Sequence, residues 1–146
     1  MSSTLSLHYH LIFGTQNREP WIAPTWRPRL HAYLGGILSS LDAVPEAIGG
    51  VDDHVHLLVG LRATHTLATV LREMKTASSR WVHEEIHLRE FAWQEGYGAF
   101  TVSASQIESV RVYIMGQEEH HRTRSFQEEY VALLQKSGVV FDSRFV

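Results

Sequence analysis

The 146-residue sequence contains no cysteine, which excludes disulfides and thiolate metal sites. It also lacks any apolar run that approaches the roughly 20 residues of a transmembrane helix. The N-terminus does not show the basic and then apolar pattern of a secretory signal peptide. These absences agree with a reducing compartment, so we expect a cytoplasmic protein with no membrane-spanning segment.

An excess of basic residues is also missing. The chain has 13 Lys and Arg against 16 Asp and Glu, a formal net charge of −3, whereas nucleic-acid-binding proteins are usually basic. Any basic surface must therefore be local. The length suits one ordinary domain, the apolar fraction of 44% predicts a globular chain, and no linker divides it. We therefore expect residues 1–146 to form a single domain, in which ten histidines are many.

The pattern along the chain predicts four strands and four helices. Apolar and polar residues alternate over 5–14 and 54–60, and 43–51 and 97–103 are also interpreted as strands. Apolar residues at helical spacing predict a first helix, capped by Thr25 and running to about Ser40, and a second, capped by Thr66. Capping boxes that start at Ser105 and Ser125 predict a third and a fourth helix.

The order of these elements indicates an α+β fold. Strand, helix, strand, strand, helix, strand matches the ferredoxin-like split βαβ arrangement, an antiparallel sheet that here would carry extra C-terminal helices. The first two helices should cover one face of the sheet. Val55, Leu57 and Val59 should point toward those helices, which would leave His54 and His56 on the other face.

His54 and His56 are separated by one residue in a predicted strand, so their side chains should lie one pleat apart on the same face. Imidazole is the commonest metal-ligating side chain, and such a pair can hold one divalent ion with coordination positions still to fill. The alternative is a half-exposed strand that carries two histidines without a metal. Spacing alone does not decide between the two, because a three-residue pattern is short.

Tyr113 and Gln117 are four residues apart in the predicted third helix and should project from the same side. An amide oxygen is a suitable ligand for a hard cation, and a phenol is a nucleophile once a nearby cation favours its ionised form. The alternative is that Tyr113 packs against the sheet and Gln117 is solvated.

These residues carry a resemblance to a known family. His54-Val55-His56 resembles the HUH motif, in which U is hydrophobic, and 113–117 resembles the Y-x-x-x-Q helix of single-tyrosine HUH transposases of the insertion-sequence and REP-associated type. The histidine motif of these proteins lies on a central strand. Further segments that resemble the family are 9–13, 75–81, 93–100, 120–121 and 125–130.

The resemblance implies a role for each residue. His54, His56 and Gln117 would hold a divalent ion, Mg²⁺ with Mn²⁺ as a substitute. Tyr113 would attack a phosphate in single-stranded DNA and form a 5′-phosphotyrosine link, so that the strand can be rejoined elsewhere. The expected partners are single-stranded DNA with hairpin ends and a second copy of the chain. The tyrosine helix can serve either its own or the partner's histidine pair.

Candidate DNA contacts follow two basic groups and a set of aromatic residues. Phosphate contacts would make binding depend on salt, and aromatic rings can stack on unpaired bases. The first group is Arg72, Lys75 and Arg80; the second is Arg111, His120, His121, Arg122 and Arg124; the aromatic residues are Trp93, Tyr97 and Phe100. For most of them, ordinary surface charge or a place in the core is an equally good interpretation.

Other interpretations remain open at this point. The protein could be a domesticated relative that binds DNA hairpins without cutting them, or a ferredoxin-like regulatory domain in which the histidines are structural. Asp52 and Asp53 either orient a histidine or only form a turn. His8 and His10 share a face of the first strand, and the pattern leaves open whether this is the face of His54 and His56.

Overall fold

The computed structural model describes residues 3–121 and 124–140, without the side chain of His120. Four strands and five helices follow one another, with short helical turns at Gln16–Arg18, Val82–Ile86 and Ala104–Gln106. In chain order they are β1 (His8–Gly14), α1 (Arg27–Ser40), β2 (Val44–Gly50), β3 (His54–Gly60), α2 (Leu67–Trp81), β4 (Gly98–Val102), α3 (Ile107–Met115), α4 (Gln117–His120) and α5 (Phe126–Lys136). None of the helices described is long and apolar enough to cross a membrane.

The strands form one antiparallel sheet in the order β2-β3-β1-β4. Helices α1 and α2 connect strands that are not neighbours in this order, as the split βαβ arrangement requires. The predicted fold is therefore confirmed. Strand β3 lies in the interior of the sheet, where His56 is paired with Ile12 on one side and with Gly49 on the other.

The apolar side chains of the two central strands face α1 and α2. Leu11, Phe13, Val55, Leu57 and Val59 are all fully buried in one cluster. The helical side chains of this cluster include Leu30, Leu34 and Leu38 of α1 and Val70, Leu71 and Met74 of α2. Side chains alternate along a strand. His54 and His56 therefore point away from this cluster, as the sequence predicts.

The other face of the sheet carries a smaller core under α3. Leu58 is fully buried there and packs with Ile114 of α3, Ala47 and Val102. Gly49 of β2 lies directly beneath the helix: a Cβ atom at this position would be 2.2 Å from the carbonyl oxygen of Ile114. The absence of a side chain at Gly49 therefore lets the helix that carries Tyr113 approach the sheet.

Two of the four predicted helix caps are confirmed. The Thr66 side chain accepts a hydrogen bond from the Thr69 amide, and Ser125 forms a complete capping box with Glu128. The predicted caps at Thr25 and Ser105 are wrong. Helix α1 begins after Trp26, without a side-chain cap and with a proline in its first turn, and a short 3₁₀ turn over Ala104–Gln106 precedes α3.

The predicted third helix is interrupted at Gly116. Helix α3 ends at Met115, and the four-residue helix α4 begins at Gln117. Tyr113 and Gln117 therefore lie in two consecutive helices instead of one. Their side chains still lie close together, because a side-chain hydrogen bond from Gln117 acts on Tyr113, and the Gln117 amide also donates to the Tyr113 carbonyl oxygen at 3.2 Å.

Candidate metal and tyrosine site

His54 and His56 lie side by side on β3 with no exposed surface. Their ring centroids are 5.1 Å apart, and they face away from the core under α1 and α2. Phe126, the first residue of α5, stacks in parallel on the His54 ring at 4.0 Å. The predicted histidine pair is therefore enclosed between the sheet and the C-terminal helices.

Each histidine is oriented through its Nδ1 atom. The Asp53 carboxylate accepts a hydrogen bond from His54 Nδ1 at 2.7 Å, and His56 Nδ1 lies 2.8 Å from Nε2 of His10. Such contacts fix the ring orientation of metal-ligating histidines and direct the other nitrogen at the site. Of the two open alternatives for Asp53, the structure therefore favours histidine orientation.

Asp52 and His8, whose roles the sequence leaves undecided, make their contacts elsewhere. The Asp52 carbonyl accepts a hydrogen bond from the Ile22 amide, so the backbone of Asp52 ties the turn before β3 to the segment before α1. His8 pairs with Glu46 of β2 at 2.8 Å. Of the two first-strand histidines, His10 is therefore the one that contacts the pair.

Tyr113 reaches the same site from α3. Its ring centroid is 5.8 Å from that of His56 and 6.1 Å from that of His10. Its hydroxyl donates a hydrogen bond to Oε2 of Glu129, a residue of α5. The structure therefore brings the predicted tyrosine and the predicted histidine pair together within one chain.

Gln117 and His121 complete the rim of the site. Gln117 is buried, with its side-chain oxygen 3.1 Å from Nε2 of His121. The same His121 nitrogen lies 3.2 Å from the Glu129 carboxylate, and the His121 ring centroid is 4.5 Å from that of His54. His121, predicted as a DNA contact, thus belongs to the histidine cluster.

Glu129 is the member that sequence reasoning missed. Only 1% of its surface is exposed, and its Oε1 atom lies 2.9 Å from His56 Nε2 and 3.4 Å from His54 Nε2. One ligand atom from each of His54, His56, His121 and Glu129 lies within 4.8 Å of all the others. The sequence contains one indication of this role. Glu129 is an acidic residue on the apolar stripe of its helix, three residues after Phe126 and four before Leu133.

Burial and charge shift the pKa values of the histidines in different directions. Burial lowers the pKa of His10 to about 3 and that of His56 to about 4. Burial also acts to lower the pKa of His54, but the carboxylates of Asp53 and Glu129 outweigh it and raise this pKa above its usual value. Burial therefore dominates at His10 and His56, whereas the two carboxylates dominate at His54.

The acidic groups of the site are shifted as well. Burial alone would raise the pKa of Glu129, but the neighbouring imidazoles of His121, His54 and His56 hold it far below the usual range. Burial and the neighbouring Glu129 carboxylate raise the pKa of Tyr113 above its usual value. In this arrangement the phenol keeps its proton, so a positive charge beside it is needed to make it a nucleophile.

The donor set suits a divalent cation. His54 Nε2 is fully buried and has no hydrogen-bond partner, although it points into the cluster. Orphaned buried nitrogens are rare in folded proteins because leaving one unpaired costs free energy. Neutral imidazoles with a carboxylate and an amide oxygen match the preferences of several divalent ions.

Comparison with known proteins assigns the family. Residues 3–117 match the family model described as "Transposase IS200 like". The chain belongs to the IS200-like transposase family. The matched segment contains β1 to β4, the histidine pair, Tyr113 and Gln117, and it ends before His121 and Glu129.

Solved structures agree with this assignment. A crystal structure described as a transposase from Deinococcus radiodurans R1 superposes with a TM-score of 0.65 and 25% identity, over 78% of this chain and 92% of that one. A REP-associated tyrosine transposase bound to a REP hairpin gives a TM-score of 0.57 at 14% identity, over 78% and 70% of the two chains. No curated protein sequence gives a significant match.

The predicted DNA contacts of this transposase fall into different environments. Arg72 and Arg80 are exposed on α2. The Lys75 ammonium donates hydrogen bonds to the carbonyl oxygens of Gln94 and Gly96, so it holds a loop. Arg124 is exposed, whereas the Arg111 guanidinium donates to the Glu46 carbonyl. The predictions for the His120 side chain and for Arg122 lie outside the described residues.

Trp93 is a core residue in this structure. It is 9% exposed, its indole nitrogen donates a hydrogen bond to Ser78 at 2.9 Å, and its ring packs edge-on against Phe13 at 4.7 Å. Stacking on a base requires an exposed ring face. The burial of Trp93 therefore argues against its predicted role, while Tyr97 remains 37% exposed.

A cavity of about 370 Å³ opens beside the tyrosine. Its wall includes Tyr113, Glu129, Arg124 and Lys136, together with His10. A phenol at the wall of a cavity with two cationic side chains is accessible to an anionic ligand. The cavity therefore gives a phosphate a route to Tyr113 that the enclosed histidine pair does not offer.

Proposed function

We propose that this transposase is a metal-dependent enzyme that nicks and rejoins single-stranded DNA, with Tyr113 as the nucleophile. The observation that carries the proposal is the convergence of Tyr113 and the histidine pair on one carboxylate. The Tyr113 hydroxyl bonds to one oxygen of Glu129, while His56 Nε2 lies 2.9 Å from the other. Family membership supports DNA transposition as the process in which the reaction takes part.

In the proposed reaction, the Tyr113 oxygen attacks the phosphorus of a DNA phosphate. A bond between that oxygen and phosphorus forms, and the bond between phosphorus and the 3′-oxygen breaks. The Tyr113 hydroxyl releases its proton to solvent, and the departing strand takes one up and becomes a free 3′-hydroxyl, while the other strand stays attached to Tyr113 as a 5′-phosphotyrosine. One ester replaces another, so a 3′-hydroxyl can reverse the step without an external energy source.

We propose that His54, His56 and Gln117 hold the ion, Mg²⁺ with Mn²⁺ as a substitute. His54 Nε2 supports this assignment because it is buried and makes no hydrogen bond, with a Glu129 oxygen 3.4 Å away. The side-chain oxygen of Gln117 contacts His121, which in turn belongs to the histidine cluster. When bound, the ion would polarise the phosphate and favour the phenolate form of the tyrosine. Asp53 and His10 keep the two histidines in the orientation that presents their Nε2 atoms.

The partners that we propose are single-stranded DNA with hairpin ends and a second copy of the chain. A protein of the same fold has been solved with a REP hairpin, and Arg124 and Lys136 line the cavity beside Tyr113. Val112 and Met115 of α3 are 64% and 65% exposed. These two side chains lie one turn apart on the tyrosine helix, and we propose that the second copy of the chain covers them.

Covalent trapping tests the proposal. The probes are single-stranded oligonucleotides that cover the DNA on both sides of the gene, incubated with the protein and Mg²⁺ and then separated under denaturing conditions. We expect a protein–DNA adduct whose formation requires the ion. Tyr113→Phe should abolish it, because the nucleophilic oxygen is lost, whereas Tyr33→Phe, at a tyrosine of α1 that stacks on Trp81 on the other side of the sheet, should leave it unchanged.

Two results would contradict this function. An adduct that persists in Tyr113→Phe would show that another residue is the nucleophile. Hairpin binding that survives chelation of the ion, without cleavage of any of the strands, would instead support the domesticated binding protein. His54→Ala distinguishes these cases further. It should abolish cleavage, and it should leave hairpin binding intact if binding does not depend on the ion.

A further inference from the structure

Glu129 occupies the position of a metal ligand. Its carboxylate is enclosed by the Nε2 atoms of His54, His56 and His121, and it is the one carboxylate of that cluster among the described residues. We infer that Glu129 is an anionic ligand of the divalent ion and that it positions Tyr113 beside it. This inference rests on the proposed function and adds to it a ligand from α5, which lies beyond the segment that matches the family model.

The distances between the donor atoms support the inference. From Glu129 Oε1, the Nε2 atoms of His56, His121 and His54 are 2.9, 3.2 and 3.4 Å away. Nitrogen and oxygen ligands bind a small divalent ion at about 2.1 Å. Two ligands of one ion are therefore roughly 3.0 Å apart at a right angle and about 3.4 Å apart at a tetrahedral angle. The spacings of 3.2 and 3.4 Å fall in this range, and the spacing of 2.9 Å lies just below it.

The hydrogen-bonding pattern around His54 gives a second argument. Asp53 accepts from Nδ1 of His54, so in the neutral ring that nitrogen carries the hydrogen and Nε2 presents a lone pair. This lone pair faces the Glu129 oxygen at 3.4 Å, and Nε2 has no hydrogen-bond partner. The neutral ring is the form that binds a metal, and in it this lone pair and the Glu129 oxygen are placed to ligate the same ion.

Ligand chemistry gives a third argument. Mg²⁺ and Mn²⁺ prefer oxygen ligands, whereas His54 and His56 supply nitrogen and the Gln117 amide supplies one neutral oxygen. A carboxylate adds a second oxygen and a full negative charge. Because the other oxygen of Glu129 accepts the hydrogen bond of Tyr113, the same side chain also fixes the position of the phenol.

Ion binding to the protein without DNA tests the inference. Titration calorimetry with Mn²⁺ compares the wild type with Glu129→Gln, which keeps the shape and removes the charge, and with His54→Ala. The matched control is Glu108→Gln, which removes the same charge from a side chain that is 80% exposed on α3. We expect Glu129→Gln to weaken Mn²⁺ binding by at least about tenfold and the control to remain within twofold of the wild type.

A second measurement uses the unmodified protein, in case Glu129→Gln fails to fold. Hydrogen exchange of the α5 amides should slow when Mn²⁺ is added, because a ligand in Phe126–Lys136 ties that helix to the sheet. Unchanged exchange in α5 would overturn the inference. So would Mn²⁺ affinity that Glu129→Gln leaves intact and His54→Ala abolishes, a result that would leave the proposed function standing. A wild-type protein that binds no divalent ion would overturn both.

Discussion

The close approach of α3 to the sheet at Gly49 predicts that Gly49→Ala damages both stability and catalysis. A methyl group at this position would lie 2.2 Å from the carbonyl oxygen of Ile114, whereas a carbon and an oxygen in contact are about 3.3 Å apart. Helix α3 must therefore move by about 1 Å. Overpacking of this kind costs about 1–3 kcal/mol in the free energy of unfolding.

The same displacement affects Tyr113, which precedes Ile114 in the helix. A misplacement of about 1 Å between reacting groups can lower a rate by about 100-fold. The measurements are urea denaturation and the initial rate of adduct formation with Mg²⁺. The control is Gly36→Ala in α1, where a Cβ atom would meet nothing within 4 Å. It should raise stability by up to about 1 kcal/mol and leave the rate unchanged.

A Gly49→Ala protein that is as stable and as active as the wild type would refute the reasoning, because it would show that α3 does not lie against β2 as described. A protein that loses stability but retains its full rate would separate the two effects. In that case the close packing would be correct, and the position of Tyr113 would be set elsewhere, for example through its hydrogen bond to Glu129.

Two further predictions concern groups outside the histidine pair. Burial, together with Arg27, lowers the pKa of His31 to about 4. The native state therefore binds fewer protons than the unfolded chain, and stability present above pH 6.5 is lost as the pH falls toward 4, by up to about 3 kcal/mol. His31→Gln should lose less stability than the wild type between pH 7 and pH 5, as the midpoints of urea denaturation at the two pH values would show. An equal loss of stability in the two proteins would contradict the prediction. Arg124 lines the cavity beside Tyr113, so Arg124→Gln should reduce the slope of log affinity for single-stranded DNA against log salt by about 1, and an unchanged slope would exclude a phosphate contact.

The fold could be predicted because its strands carry strong periodic patterns. Val55, Leu57 and Val59 determine which way β3 faces, and this alone places His54 and His56 on the opposite side of the sheet. The helix boundaries were less accessible. Ser105 has the sequence of a capping box, yet the chain forms a 3₁₀ turn there, because local preferences of this size are easily outweighed by tertiary packing.

The site was only partly accessible from the sequence, for a different reason. His54, His56, Tyr113 and Gln117 form two short motifs whose internal spacing indicates chemistry. Glu129 is isolated in the sequence, and its role depends on how α5 packs over the sheet, with Phe126 against the His54 ring. No local pattern encodes that contact. His10 is similar, because its place beside His56 depends on the pairing of β1 with β3.

The net charge of −3 does not count against a DNA partner. Exposed charges more than about 10 Å apart are largely screened at physiological salt, so a phosphate near Tyr113 responds to its neighbours and not to the total. Those neighbours are Arg124 and Lys136 in the cavity wall and Glu129, whose charge is buried among three imidazoles. The proposed ion would add two positive charges at this point. The electrostatic requirement of a phosphate is therefore met locally, and a composition-based prediction, which averages over the whole chain, cannot detect it.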